Sequence, residues 1–360
     1  MSKLGANCIE INGKIIGEDF PTYFIADIAA NHDGSFDRAV KLIKMAADSG
    51  ANAAKFQHFK ATTIVSGTGF SRLGGKLAHQ SSWDKSVEDV YRTAELPLEW
   101  TADLLAVCKE SNIDFFTSAY DLSLVDSVDP FVPAFKIGSG DITWLEIIRH
   151  IATKQKPGLL ATGASSLEEV KIAADTFLAI NSKLALLQCN TNYSGEEDNL
   201  DFVNLNVINT FRKLYPDLVI GLSDHTHGYA AVLGAVALGA RIIEKHFTDD
   251  PDRTGPDHKF SMTPKTWTQM VNCVRELERA LGKQDKEIEK NEIESAVVQR
   301  RALYASKHLN RGDAISRSDI AVLRPCPSDA ISAEKLDFIV GKFLSDDVEK
   351  GGLISWNKLE

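Results

Sequence analysis

Two histidines and two lysines stand near the ends of short apolar segments. His225 and His246 follow runs that begin with apolar residues, and Lys55 and Lys136 lie in two other such runs. Neutral imidazoles suit a divalent cation such as Mn²⁺, Zn²⁺ or Fe²⁺, and two ammonium groups in an acidic chain make a focused anion site. These residue types indicate a cation site beside an anion site. The structural alternative is a pair of hydrogen-bonded histidines and two lysines in salt bridges.

Four further features could take part in chemistry. A Gly-Ser-Gly turn follows Lys136, and its N–H groups could hold a phosphate or a carboxylate. Lys136 could also be a Schiff-base lysine, with a pKa lowered by its neighbour. Asp257 could act as a general base or bind a sugar hydroxyl, or it could be a simple turn residue beside Pro256. Arg324, next to Pro325, could likewise take part in the chemistry, or it could be an ordinary loop arginine that is exposed to solvent.

Eight segments of the sequence are predicted to form buried parallel strands, and these strands position the candidate residues. They are near-continuous apolar runs separated by helical patterns. Eight strands alternating with helices over about 260 residues predict an α/β fold, a (β/α)₈ TIM barrel, in which functional groups meet at the carboxyl ends of the strands. A doubly wound sheet is the alternative. The predicted strands are 23–29, 53–58, 114–119, 134–140, 158–164, 184–190, 219–225 and 241–247.

Helix signals lie between the strands. An apolar stripe predicts a helix over 35–49 that stops at Gly50. A capping box at 166–169 opens a second helix, and the pair Thr263-Pro264 opens the last helix of the series. The long gap between 58 and 114 predicts an extra loop at 67–83, rich in glycine, serine and histidine.

Composition predicts a soluble, cytoplasmic protein with two domains. The 360 residues carry a net charge of −10, which argues against nucleic acid or an anionic membrane as a partner. No apolar stretch is long enough to span a bilayer, and the five scattered cysteines suggest neither a disulfide framework nor a zinc motif. We expect a barrel domain at 1–282, a charged linker at 283–297 and a small domain at 298–360.

The motifs resemble those of the sialic acid synthase family in order and spacing. The C-terminal segment, with QRRA at 299–302 and RP at 324–325, resembles the antifreeze-like (SAF) domain of that family. The resemblance implies a TIM barrel followed by an SAF domain, in a domain-swapped homodimer whose caps cover each other's barrels. The matching barrel segments are 26–34 (ADIAANHDG), 54–57 (AKFQ), 135–140 (FKIGSG), 221–226 (GLSDHT), 244–248 (EKHFT) and 255–259 (GPDHK).

The resemblance also implies a reaction and roles for residues. Family members condense phosphoenolpyruvate with an N-acyl hexosamine to a nine-carbon 2-keto acid and release phosphate. By resemblance, Mn²⁺ is held by His225 and His246, and we expect Asp27, Lys136, His225 and Asp257 to be the catalytic residues. The implied phosphoenolpyruvate-binding residues are Lys55, Ser118, Lys136, Ser139 and Ser223. The implied sugar-binding residues are Gln57, Asp141, Tyr193, Asp257 and, from the partner chain, Arg324.

Several positions depart from the family pattern. Relatives usually have glutamate where this chain has Asp27 and Asp141, and serine where it has Ala161; Thr191 departs as well. Three other functions remain open. The first is a phosphoenolpyruvate-dependent aldol synthase acting on a phosphorylated sugar. The second is a Schiff-base aldolase that uses Lys136, and the third is a saccharide- or ice-binding protein without catalysis.

Overall fold

The computed structural model describes residues 7–73, 75, 77, 80, 81, 83–194 and 196–360. The chain divides into two compact units, Met1–Gly282 and Lys283–Glu360. The strands of the first unit are a hairpin, β1 (Cys8–Ile11) and β2 (Lys14–Gly17), followed by β3 (Tyr23–Asp27), β4 (Ala53–His58), β5 (Asp114–Ala119), β6 (Phe135–Ile137), β7 (Gly158–Ala161), β8 (Leu184–Cys189), β9 (Val219–Asp224) and β10 (Ile242–His246).

In the described part of the chain, strands β3 to β10 close into a parallel barrel in sequence order, with β10 pairing β3. The predicted (β/α)₈ barrel is therefore confirmed, and each predicted strand contains an observed one. The helices of the first unit are α1 (Phe36–Asp48), α2 (Ala61–Ile64), α3 (Gly67–Arg72), α4 (Val87–Ala94), α5 (Thr101–Glu110), α6 (Leu122–Val128), α7 (Leu145–Thr153), α8 (Leu167–Leu178), α9 (Val207–Leu214), α10 (Ala230–Ala237) and α11 (Pro264–Leu281).

The predicted helix starts are also confirmed. Ser35 caps α1 through the N–H of Arg38, and Ser166 and Glu169 form the capping box of α8. Thr263 caps α11, whose first residue is Pro264. Part of the predicted loop at 67–83 is wrong, because its first six residues form helix α3; residues 74, 76, 78, 79 and 82 of that segment lie outside the described residues.

Along each barrel strand, side chains point alternately towards the surrounding helices and into the barrel interior, where the candidate site lies. Phe24 and Ala26 of β3 face the helices, in one large apolar cluster, whereas Tyr23 and Ile25 face the barrel interior in another. Because side chains alternate with a period of two, the next inward residue of β3 is Asp27. Strands β4, β9 and β10 show the same order, with apolar or small inward residues first and polar ones last, so their polar ends meet at one mouth. Strand β5 differs, because its first inward residue is Asp114, which accepts a hydrogen bond from the Tyr23 hydroxyl at the opposite end of the barrel.

The hairpin β1–β2 packs on the apolar end of the barrel interior. Ile9, Ile11 and Ile16 share a cluster with the inward residues at the amino-terminal ends of the strands. Asn12-Gly13 forms its turn, with positive φ at both residues, which is the favoured chemistry for a two-residue hairpin. The sequence analysis missed this element, although the Asn-Gly pair between two alternating runs is a hairpin signal.

The second unit is a small β-rich fold. It contains α12 (Ile293–Gln299), α13 (Leu336–Ile339) and the antiparallel pair β11 (Ala302–Ala305) and β12 (Ile320–Leu323). Its core is a separate apolar cluster that includes Leu303, Ile331 and Ile354. No helix among the described residues is long and apolar enough to cross a membrane.

Candidate active site

Two lysines and two carboxylates form a buried cluster at the mouth of the barrel. Asp27 pairs with Lys55 in the strand register, and the Lys55 Nζ lies 2.6 Å from the Asp27 Oδ2. Glu244 Oε1 lies 3.6 Å from the Nζ of both Lys55 and Lys136 and accepts a 3.0 Å hydrogen bond from the Ser223 hydroxyl. All five side chains are at most 5% exposed. Glu244 therefore holds the two predicted anion-binding lysines together.

Burial and neighbouring charges perturb the pKa of every member of this cluster. Burial raises the pKa of Asp27 to about 7, even though the ammonium group of Lys55 lowers it. Burial alone would lower the pKa of Lys55, but the carboxylates of Asp27 and Glu244 raise it overall. Burial lowers the pKa of Lys136, which Glu244 only partly offsets. Burial alone would raise the pKa of Glu244, but the positive charges of the two lysines lower it overall.

His225 and His246 lie side by side at the same mouth, with ring centroids 5.3 Å apart. The Nδ1 of His225 lies 2.9 Å from the carbonyl oxygen of Asn190. Because a carbonyl only accepts, Nδ1–H must be the donor, which leaves the Nε2 lone pair free. Burial lowers the pKa of His225 to about 4 and that of His246 well below its ordinary value. Both rings are therefore neutral at physiological pH.

The donor set around these rings fits a divalent cation. His246 Nδ1 and Asp27 Oδ1 are buried without a hydrogen-bond partner, and the His246 Nε2 lies 3.6 Å from the Asp27 Oδ2. No group of three or more potential ligand side chains is positioned to hold a metal ion within the described ranges. The chain thus offers two imidazoles, and substrate or water oxygens would complete the coordination.

These groups line one polar cavity of about 300 Å³. Ser139, whose hydroxyl accepts from the N–H of Gly163 at 2.9 Å, contributes to the wall, as does Asp141, whose pKa burial raises to about 6. Ser118 is buried beside it, paired in register with Gln57 and Lys136. The other predicted site residues that line this cavity are Asp27, Lys55, Gln57, Lys136, Tyr193, Ser223, His225 and His246.

An aromatic pair flanks the two imidazoles. The ring of Tyr193 lies 4.3 Å from that of His225, and the ring of Phe260 lies 4.8 Å from that of His246. Asp257 is half-buried nearby, where its Oδ2 accepts from the N–H of Ala30 at 3.1 Å. Burial raises the pKa of Asp257. Apolar rings around a cation site exclude water and strengthen electrostatic interactions there.

The family model of the NeuB family matches residues 42–286, and that of the SAF domain matches residues 300–360. The chain belongs to the NeuB family. The resemblance to sialic acid synthases is therefore confirmed. Of the barrel-mouth residues described above, Asp27 and Ala30 precede the matched NeuB segment, and the others lie within it.

Several relatives of this NeuB-family chain are named as synthases. It is 34% identical to the N,N'-diacetyllegionaminic acid synthase of Campylobacter jejuni over 92% of this chain and 98% of the relative. It is 33% identical to the human N-acetylneuraminate-9-phosphate synthase over 77% and 76% of the two chains. A crystal structure of the N-acetylneuraminic acid synthetase of Leptospira borgpetersenii, in complex with citrate, superposes with a TM-score of 0.70, 29% identity and coverage of 81% of this chain and 95% of the other.

Two candidate residues of this NeuB-family site received no predicted role from the sequence. Glu244 lies two residues before His246 in β10 and must share its inward face, so the period-two alternation could have identified it. Phe260 follows the loop at 255–259, and no signal in the sequence points it at the imidazoles. Arg324 is exposed on the second unit, and its predicted role in sugar binding stays a prediction.

Proposed function

We propose that this chain condenses phosphoenolpyruvate with an N-acyl hexosamine to a nine-carbon 2-keto acid, releasing phosphate, with a divalent metal that we take to be Mn²⁺. The observation that carries the proposal is the convergence of Lys55 and Lys136 on one cavity beside two neutral imidazoles. A phosphate and a carboxylate on one small molecule match two lysines. An aldehyde oxygen matches a metal on two histidines.

The charge balance of the cluster supports this assignment. Lys55 and Lys136 are matched by two carboxylates, Asp27 and Glu244. A multiply charged anion entering this buried site needs further positive charge, because unpaired ions are costly to bury. A divalent cation held by His225 and His246 would supply that charge. The site is therefore expected to bind phosphoenolpyruvate more tightly with metal than without it.

The chain's own groups then orient and activate the reactants. Lys55, Lys136 and Ser139 hold the phosphate and carboxylate, so that C3 of phosphoenolpyruvate faces C1 of the open-chain sugar in an effectively intramolecular reaction. When bound by His225 and His246, the metal supplies Lewis-acid polarisation of the aldehyde oxygen. Glu244, which stays ionised, faces the positive charge that develops at C2 when the new C–C bond forms.

Asp27 is suited to the hydration step. Water adds to the electron-poor C2, and Asp27 accepts its proton, because a carboxylate with a pKa of about 7 is a competent base near neutral pH. The resulting hemiketal phosphate then collapses with cleavage of the C2–O bond, which releases phosphate. One water is consumed for each phosphate released, and the sugar oxygen atoms all remain in the product.

The direct test is sugar-dependent release of phosphate. Purified protein with Mn²⁺, phosphoenolpyruvate and an N-acyl hexosamine should release one phosphate for each sugar consumed, and the product mass should equal the sum of sugar and pyruvate. Release of phosphate at the same rate without sugar would instead identify a phosphatase. A stable covalent adduct on Lys136 after borohydride treatment with substrate would favour the Schiff-base alternative.

We expect Asp27→Asn to lower kcat by about 10²–10⁴-fold, the range for loss of a positioned general base. The substitution keeps the shape of the side chain but removes its ability to accept the proton. KM for phosphoenolpyruvate should change far less, because Lys55 and Lys136 remain. Asp27→Glu, which introduces the residue usual in the family, is the matched control and should retain most activity. Equal losses in both variants would exclude the base role.

We also propose a homodimer in which Arg324 reaches the sugar in the partner's barrel. Single variants Arg324→Ala and His246→Ala should each be nearly inactive. When the two are mixed under conditions that exchange subunits, each heterodimer regains one intact site, so that activity should recover to about a quarter of wild type. Arg311→Ala, at another exposed arginine of the second unit, is the control and should not lose activity. No recovery in the mixture would mean that Arg324 acts within its own chain or not at all.

A further inference from the structure

The pairing of β9 with β10 ends in a buried ion pair that the proposed chemistry does not use. Asp224 and Lys245 are the last register pair of these two strands, and the Lys245 Nζ lies 2.6 Å from the Asp224 Oδ2. Both residues are 1% exposed. Neither is among the described residues that line the polar cavity, so neither is placed to touch a substrate there.

The ion pair faces away from the barrel interior. The apolar residues two positions earlier in each strand belong to the cluster between strands and helices, and alternation places Asp224 and Lys245 on that same side. His225 and His246 come next along the chain and line the polar cavity. Each member of the ion pair is therefore the chain neighbour of one imidazole proposed to bind the metal.

Asp224 also shapes the turn that carries His225. Its Oδ1 accepts a 3.0 Å hydrogen bond from the N–H of Thr226, and its Oδ2 accepts a 3.1 Å bond from the Thr226 hydroxyl. These bonds close a tight turn around His225. The Lys245 Nζ donates to the carbonyl oxygen of Thr226 at 2.5 Å. Lys245 thereby joins the turn of His225 to the strand of His246.

Stability alone does not account for a charged pair at this place. Taking two charges out of water is costly, and uncharged residues of similar volume are often at least as stable there. What the pair adds is direction, because charged hydrogen bonds are short and fix the groups that they join. His225 lies beyond the last register pair of β9 and β10. The carbonyl of Asn190 orients the ring of His225, and the ion pair holds its backbone.

We propose that Lys245 and Asp224 are positioning residues for the metal, which hold His225 at the distance from His246 that lets two imidazoles bind one divalent cation. This inference rests on the proposed function and names residues that act on its metal site without contacting the metal. The ring centroids of the two histidines lie 5.3 Å apart. Groups just outside the ligands of a metal typically contribute about 10–100-fold to metal affinity or activity.

The test replaces the ion pair by neutral residues. The double variant Lys245→Met with Asp224→Asn nearly keeps both volumes, and the new amide oxygen can still accept from the N–H of Thr226. The turn is then kept while its link to β10 is lost. We expect the Kd for Mn²⁺, measured from its electron paramagnetic resonance signal without substrates, to rise about 10–100-fold. Thr226→Val, which removes only the hydroxyl bond to Asp224, should raise it by a smaller factor. Wild-type affinity in the double variant, or in Thr226→Val if the double variant does not fold, would overturn the inference.

Lys14→Met with Asp114→Asn is the matched control. The Lys14 Nζ lies 2.9 Å from the Asp114 Oδ2, and this pair joins β2 to β5 at the opposite end of the barrel. Its loss should lower the melting temperature without reaching the imidazoles, so the Kd for Mn²⁺ should equal that of the wild type. An equal rise of the Kd in this control would show that metal affinity follows the stability of the barrel, which contradicts a positioning role.

Turnover separates this inference from the proposed function. In the double variant at Lys245 and Asp224, excess Mn²⁺ should restore most of the phosphate release that is lost at low Mn²⁺, whereas a partly unfolded protein would not recover. If the wild type binds Mn²⁺ but consumes no sugar, the proposed function fails and the Kd values still decide the inference. If the wild type binds no Mn²⁺, the metal site and the inference fail together.

Discussion

We expect His246→Ala to lower kcat/KM for phosphate release by more than about 10²-fold, because it removes one of two imidazoles for the metal that polarises the aldehyde. His246 is buried with an unpartnered Nδ1, lies 5.3 Å from His225 between ring centroids and packs against Phe260. The loss should appear in metal affinity as well as in rate. Titration of Mn²⁺ by calorimetry or by its electron paramagnetic resonance signal measures that affinity without turnover.

His227→Ala is the matched control for this prediction. His227 is exposed two residues after His225, so its loss removes an imidazole near the mouth without touching the cluster. It should bind Mn²⁺ and turn over as the wild type does. Full metal-dependent activity in His246→Ala, or an equal loss in both variants, would contradict the assignment of His246 as a metal ligand.

The second large effect is expected for Lys136→Met. Lys136 is buried with its Nζ 3.6 Å from the Glu244 Oε1, and it lines the polar cavity. Methionine keeps most of the side-chain volume, so packing changes little, but a preorganised positive charge is lost. Removal of one such group typically costs about 10²–10³-fold, and we expect this loss in kcat/KM for phosphoenolpyruvate.

The remaining charges make this prediction specific. Glu244 keeps Lys55 and the Ser223 hydroxyl as partners in the variant, so the fold should survive, and Mn²⁺ affinity should stay close to wild type. Lys154→Met removes a lysine whose ion-pair partner is Asp126, away from the cavity, and should not affect catalysis. A variant that binds phosphoenolpyruvate normally would show that Lys136 does not hold it.

Much of the fold could be predicted from the sequence because a buried parallel strand has a simple signature. The run at 219–225 is apolar until Ser223, and the structure begins β9 at Val219 and ends it at Asp224. Closure of the barrel follows once eight such runs alternate with helices. The period of two then brings Asp27, Lys55 and His246 together, since they are paired in register on neighbouring strands.

The remaining features depend on contacts between distant parts of the chain. Glu244 lies close to both Lys55 and Lys136. This contact depends on how the closed barrel brings the strands together, and the composition of the sequence does not predict it. The ring of Phe59 packs against the rings of Tyr91 and Tyr120, which come from two other segments of the chain, and no local pattern predicts their convergence. The hairpin at the other end of the barrel was missed for a different reason. Its Asn12-Gly13 turn is a recognisable signal in the sequence, but the predicted elements did not include it.

The most direct test of the central claim follows the oxygen atom that joins C2 of phosphoenolpyruvate to phosphorus. Phosphoenolpyruvate labelled with ¹⁸O at that atom is incubated with the full chain, Mn²⁺ and an N-acyl hexosamine, and phosphate and product are analysed by mass spectrometry. Addition of water at C2 predicts that the label leaves with phosphate and that the product mass equals sugar plus pyruvate. Unlabelled phosphate, or labelled phosphate without the coupled product, would contradict the proposed condensation.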